Sequence, residues 1–568
     1  MATKNQKGDV YIKIKKLFPL DYKSNHLCEY INYLLKVLEK NKKVKKDSPR
    51  ILGMAKFNNK ESEIIKRFST LPEKAQDPLK SCESIIQNFF INIPRWRSPN
   101  LQYNVGTAVN SVAVAAYAIA LEENIYNIND GLAGNALIAE QIVSNILSNL
   151  AGLDKKTRGF FTFGGTATNF YATKIGLKKA VVNSSKVGIP KKIRVMITED
   201  SHFSHKIAAD WLGIGTNNVL IINSNKDRTS NLLDAKKKLI KAFESKKLVS
   251  SIIINGGTTY GHVIDDILSF VKLRDEMVKK FSLNYNPHIH VDSVIGWAWL
   301  FFNNYNFKKN KLRINLDTLR IIKKQYRKIS QVKYADSWGV DFHKGVGGCP
   351  ISCSMFIINN SEDLQFLSKK EGGIDMHQLA TEFSLKSPAD FTIETSRSAG
   401  PPLSALASLL TLGKEGYQRN LSNLIELSLM TKNLVSEFSD IQVCHEDSSL
   451  GYVTMLRVYP PELKDSILKK KELTLITKSS KEIKKFINDV NNYMKAFFTW
   501  DKEKRMSKNE GVEYSFSSGY LKLKNGCYVS GIKLYPVSPH FTKKHVKDSV
   551  SIIVSQKRYF DKNIWKRN

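Results

Sequence analysis

The chain has 568 residues, 42% of them hydrophobic and 10% aromatic, with a formal net charge of +34. This composition excludes a disordered polymer, and the length allows two or three domains, each with a core of ordinary size. The charge raises nucleic-acid or anionic-membrane binding, but the cations run along the whole chain and no aromatic residues are interleaved to stack bases, so a lysine-rich coating of every solvated face accounts for it.

The N-terminal stretch MATKNQKGDVYIKIKKLF is basic and lacks the apolar run of a secretory signal. Residues 1–100 are expected to form a helical, lysine-rich segment with a break near RWRSPN. The longest apolar stretch, Val112 to Leu121, is far too short to span a bilayer, so no membrane partner is expected. In GNALIAEQIVSNILSNLAG the apolar residues Ile138, Ile142, Ile146 and Leu150 mark one helical face, stopped by Gly152. Short β-branched runs follow at 193–197 (IRVMI), 218–222 (NVLII), 251–255 (SIIIN) and 288–292 (HIHVD), alternating with helical or turn sequence such as 265–281. Near-continuous apolar strands between helices predict a mainly parallel sheet covered on both faces. Beyond about Gly413 the style changes to a helix through Leu421–Phe438 and shorter alternating strands, YVTMLRV and YLKL. The expected division is 1–100, a large α/β domain over 101–413, and a smaller C-terminal α+β domain over 414–568. The six cysteines are scattered, and Cys349 and Cys353 stand four apart, so neither a disulfide framework nor a zinc site is expected. A reducing, cytoplasmic setting fits best.

Ligands of open α/β sheets sit at the carboxyl ends of the strands, and five segments place polar groups there. FTFGGTATNF puts Gly164 and Gly165, then Thr166 and Thr168, at the start of a helix whose N–H groups suit a phosphate, although glycine turns before helices are common without one. His202, in TEDSHFSHKIAADW, falls between a strand and a helix, where a histidine is more often structural. NGGTTYG ends a strand in Thr258 and Thr259. HIHVD sets His288, His290 and Asp292 on one strand face; a metal site there would need further ligands, and none stands at an obvious spacing. In VDFHKGVGGCP, Lys344 stands among small and apolar neighbours, where desolvation would lower its pKa and leave a reactive neutral amine.

The order of these segments (glycine turn, His before a helix, G-T-T, H-V-D, then D-S-x-x-x-D-x-H-K) closely resembles the group II decarboxylases that use pyridoxal phosphate, the family of glutamate, aromatic amino acid, histidine and diaminobutyrate decarboxylases. The resemblance covers about residues 98–415. It implies an aspartate-aminotransferase-like fold (PLP fold type I), a homodimer with the N-terminal segment in its contacts, and an amino-acid substrate. It further implies that Lys344 holds the cofactor aldehyde, Asp292 pairs with the pyridine nitrogen, and His202 lies over the ring. Gly165 and Thr166 would hold the phosphate with help from His343, and Thr259 would lie against the ring's polar edge. SPNLQYNVGT resembles the family's H-P-x-F stretch and nominates Thr107 as a substrate contact.

Several positions depart from the family. Ser98 replaces its leading histidine, Ser293 and Val294 follow Asp292, and Trp297-Ala-Trp299 is bulkier than the common Gly-Gly. No tyrosine occurs from 335 to 416, so the proton donor that relatives carry on a mobile loop is vacant or reassigned. His377, behind the paired glycines 372–373, is a candidate for that role, with an ordinary surface histidine as the commoner alternative.

Overall fold

The computed structural model describes residues 17–18, 25–40, 47–50, 60–90, 93–154, 156–368, 387–444, 450–464, 481–508, 511–523 and 526–565. His377 lies outside them. The strands are β1 (Leu101–Gln102), β2 (Arg158–Thr162), β3 (Ile193–Thr198), β4 (Val219–Ile222), β5 (Leu248–Asn255), β6 (His288–Asp292), β7 (Ser337–Asp341), β8 (Ser354–Ile358), β9 (Ile441–Val443), β10 (Thr454–Val458), β11 (Glu513–Lys522) and β12 (Tyr528–Leu534).

Seven strands form the large sheet in the order β2-β8-β7-β6-β5-β3-β4. From β4 to β7 the pairings are parallel, while β8 runs antiparallel to both β7 and β2. The pleat sends alternate residues to opposite faces, and the core divides accordingly. Met196, Ile252 and Ile254 join one apolar cluster with Val143 and Leu239, whereas Val195, Ile197 and Ile253 join another with Leu177 and Ala209. Both faces are covered, which is why these strands read as continuous apolar runs rather than alternating ones. The helices between them begin where the sequence supplies side-chain caps. Asn231 accepts from Asp234 N and Asp266 from Ser269 N, satisfying donors that a helix start leaves open. The Ala136–Ala151 helix stops at Gly152, which is left-handed at φ 72°.

The second sheet has the order β1-β11-β12-β10-β9. Its strands come from beyond residue 414 except β1, which pairs in parallel with β11. Residues 101–102 therefore belong to the smaller sheet, although the expected boundary put them with the large domain. A long helix, Gly400–Val435, joins the two parts and is broken at Gly413 (φ 56°, ψ 179°), the point where the sequence changes style. Among the described residues no helix is long and apolar enough to cross a membrane.

The basic run 308–333 holds ten cations and one carboxylate, Asp317. Eight of the ten are exposed; Lys323 and Lys328 are half-buried, and the Lys328 amine is anchored on Ile264 O at 2.8 Å.

Candidate active site

The parallel strands end at one edge, and the nominated residues follow those ends. Asp292 is the last residue of β6, His202 follows β3, Thr259 follows β5, and His343 and Lys344 follow β7. The glycine turn lies beyond β2 and opens the Gly165–Ala180 helix. Gly164 caps that helix without any side-chain hydrogen bond, so its first N–H groups face the edge uncapped. A Cβ on Gly165 would stand 2.6 Å from Asp341 Oδ2; only glycine lets the helix start approach the end of β7 this closely. Thr166 is exposed beside it, and Thr259 is half-buried.

Lys344 Nζ lies 2.7 Å from Asp341 Oδ2. Asp341 is fully buried, and its other oxygen accepts from the Ser354 hydroxyl at 2.6 Å. From sequence, apolar surroundings should lower the pKa of Lys344; the structure reverses the sign. Desolvation does pull it down, but the carboxylates of Asp341 and then Asp292 outweigh it, and the pKa is raised. The resting amine is an ammonium in an ion pair, and Asp341 is the nearest acceptor for its proton.

Asp292 is buried. Its Oδ2 lies 3.1 Å from His205 Nε2 and accepts from Asn169 Nδ2 at 3.2 Å. Its Oδ1 is buried without a hydrogen-bond partner. Burial alone would raise this carboxyl's pKa, but His205, Lys344 and His202 together hold it well below the usual range, so Asp292 is an anion with one oxygen uncommitted. His202 is exposed at the strand ends. Desolvation by the surrounding atoms still pushes its pKa below the ordinary imidazole value, with Asp292 opposing and Lys344 adding to the fall. Its Nδ1 stands 2.7 Å from the Ser204 hydroxyl.

The remaining nominees serve the lysine loop more visibly than a ligand. The Thr107 hydroxyl donates to Gly345 O at 2.7 Å and accepts from Gly348 N at 3.0 Å, so both of its directions are engaged in fixing the segment that carries Lys344. His343 Nδ1 accepts from Cys353 N at 3.2 Å, and its Nε2 is 3.7 Å from Asp341 Oδ2. At Gly345 (φ 53°) a Cβ would meet the Tyr452 hydroxyl at 2.0 Å, so the smaller unit packs directly against the lysine loop. The bulky Trp297 and Trp299 are buried in the core, Trp297 against Phe342 and Trp299 against Tyr452, and do not crowd the strand ends. His288 and His290 both contact the Ser337 hydroxyl, at 2.7 and 2.8 Å. Burial drives both pKa values down, that of His290 to about 3, so both are neutral. Among the described residues no group of three His, Cys, Asp or Glu could hold a metal ion.

Asp341, His205, Asn169 and Ser204 contact the nominated residues, and the sequence did not nominate them. Asn169 carried a usable signal, since it stands four residues after Gly165 and so on the same helical face. His205 carried less, because its contact with Asp292 joins two segments remote in sequence.

No family model matches the chain. It is 25% identical over 361 residues to the probable L-tyrosine/L-aspartate decarboxylase of Methanosphaera stadtmanae, covering 63% of this chain and 79% of that protein. It is 24% identical over 308 residues to the L-2,4-diaminobutyrate decarboxylase of Rhizobium meliloti, covering 53% and 55%. Among solved structures, Oryza sativa TDC with PLP and tryptamine matches with a TM-score of 0.73 at 12% identity, covering 95% of this chain and 99% of that one. Rhodiola rosea 4-hydroxyphenylacetaldehyde synthase matches at 0.69 and 13%, again over 95% and 99%. The fold is PLP fold type I, a mixed α/β sheet flanked by helices. These relatives, named as amino-acid decarboxylases, match the group II pyridoxal-phosphate-dependent family that the sequence resembles.

Proposed function

We propose that this protein removes the α-carboxylate of an L-amino acid, giving an amine and carbon dioxide, with pyridoxal 5'-phosphate as cofactor. The observation that carries the reading is Asp292: a buried anion, close to Lys344, with one oxygen left without a partner. The residues fit the cofactor in three respects. Lys344 supplies an amine for the aldehyde, Asp292 Oδ1 an acceptor for a protonated ring nitrogen, and the uncapped helix start at Gly165 and Thr166 a cradle for the phosphate. When bound, the cofactor would supply an electron sink beside the substrate's α-carbon.

The chain's own residues then have definite tasks. Asp341 takes the proton that Lys344 must lose before its amine can react, because the ammonium itself is no nucleophile. Asp292, held anionic, would keep the ring nitrogen protonated. His202, exposed and biased toward the neutral form, would lie over the ring and could accept or return a proton. Thr259 and His343 would bound the ring edge and the phosphate, and Thr107 fixes the lysine loop and through it the substrate side of the cleft. Gly165→Ala should raise the cofactor dissociation constant about tenfold, equivalent to about 1.4 kcal/mol, because the added methyl displaces Asp341 or the helix start. Turnover should return at saturating cofactor, which a titration of activity against cofactor concentration would read.

We also infer a homodimer in the cytoplasm. Apolar side chains on these segments stand open: Phe203 next to His202 is 68% exposed, Ile351 after the lysine 79%, and Trp211 at the end of the helix that follows His202 80%. Large apolar side chains left open on segments that carry nominated residues are what a second copy would cover. All six cysteines are free thiols, as a reducing compartment would keep them.

An aldehyde synthase or another lyase of the same fold is the second reading, favoured by the absence of tyrosine from 335 to 416. A catalytically silent or RNA-binding protein fits less well, since the cations run along the whole chain with no aromatic residues interleaved to stack bases. The deciding experiment supplies pyridoxal phosphate and a panel of L-amino acids, and measures carbon dioxide, amine, aldehyde and ammonia together. Amine equal to carbon dioxide supports decarboxylation; aldehyde with ammonia supports the synthase; no product from any amino acid, and no cofactor bound, would defeat both.

A further inference from the structure

We infer that His205 is a positioning residue for this reaction: with Asn169 it holds Asp292 Oδ2 from two sides, so that Oδ1 alone is presented to the cofactor's ring nitrogen. The inference rests on the cofactor reading above and deepens it. His205 sits on the first turn of the Ser204–Trp211 helix and is 1% exposed. Its Nε2 lies 3.1 Å from Asp292 Oδ2, at ion-pair distance but without hydrogen-bond geometry, and its Nδ1 has no hydrogen-bond partner. Its polar company is therefore the carboxylate. An imidazole buried with so little to bond is poorly explained by packing, which an aliphatic side chain would serve without desolvating two nitrogens.

The contact belongs to a longer line. Asn169 Nδ2 donates to Asp292 Oδ2 at 3.2 Å and to the Ser204 hydroxyl at 3.1 Å, and that hydroxyl is 2.7 Å from His202 Nδ1. One hydrogen-bonded chain thus runs from the histidine proposed for the ring face to the carboxylate proposed for the ring nitrogen, and His205 Nε2 faces that carboxylate from the far side at 3.1 Å. Around Asp292 the charged or titratable groups are His202 and His205 after β3, Lys344 and Asp341 at the end of β7, and His290 on its own strand. Of the interactions that hold the Asp292 carboxyl low against burial, those from His205 are the largest.

Two variants of the full chain, loaded with pyridoxal phosphate, test the assignment. His205→Leu removes the donor, and His205→Gln keeps an N–H of similar reach. Leu should weaken cofactor binding about tenfold, as loss of a close polar contact to a buried charged group implies. It should also move the acid-side midpoint of the bound cofactor's absorbance change to higher pH, because a buried carboxylate without its donor protonates more readily. Gln should restore both. A Leu variant with wild-type affinity and an unmoved midpoint overturns the assignment, as does a folded Gln variant that behaves like Leu. If Leu does not fold, the Gln comparison decides alone, with wild-type values supporting the role and their loss overturning it. Wild-type protein that binds no cofactor would instead defeat the underlying reading.

Discussion

Lys344→Ala is expected to lower carbon dioxide release by on the order of a thousandfold or more, about 4 kcal/mol of barrier. The loop that carries Lys344 is fixed by Thr107 and by Tyr452 at Gly345, so another lysine has no evident route to the same position. The substitution also leaves Asp341 buried without its ammonium, and stripping one partner from a buried pair destabilises by about 3–5 kcal/mol. Lys344→Ala should therefore melt earlier as well as stop working. Adding Asp341→Asn should recover much of the thermal stability and none of the activity, a split that separates the chemical role of the lysine from its structural one. Denaturation curves and carbon dioxide release on the same preparations would read both. Substantial turnover by a folded Lys344→Ala variant would contradict the assignment.

Asp292→Asn should reduce turnover by a similar order, about a thousandfold, while the cofactor can still be trapped on Lys344 by borohydride. An amide cannot hold the ring nitrogen protonated, so the cofactor would lose its capacity as an electron sink. The wild-type carboxyl is held well below its ordinary range, so it stays ionised at any pH above that range and is neutralised only as the pH falls through its folded value. The interactions that depress it contribute stability above the ordinary carboxylate pKa of about 3.9, and that contribution disappears on acidification. Asp292→Asn should accordingly flatten the acid side of the stability profile. Retained turnover in this variant, measured at saturating cofactor, would argue against a ring-nitrogen role for Asp292.

Much of the large sheet was legible because strands buried on both faces must be apolar throughout. Runs such as IRVMI and SIIIN declare themselves in that way, and β3 to β6 fall where those runs lie. The strands β7 and β8 were not legible. SWGVD has no apolar run and alternates only over five residues with a glycine at its centre, and SMFII is too short to tell from a buried helical turn. β1, with two residues, owes its existence to β11, more than four hundred residues away. At the site, the order of motifs nominated Lys344, Asp292 and His202, and the fold brings all three to one edge. What the sequence missed is pairing in space. Counting apolar neighbours around Lys344 gave the wrong sign for its pKa, although Asp341 stands three residues earlier, because composition does not reveal which way a side chain turns. His205 was hidden for the same reason.

The central claim is that Lys344 is the amine that holds the cofactor. Wild-type protein incubated with pyridoxal phosphate, reduced with borohydride and digested should yield one labelled peptide, with the label on Lys344. A label on any other lysine, or none above the background given by denatured protein, would contradict it.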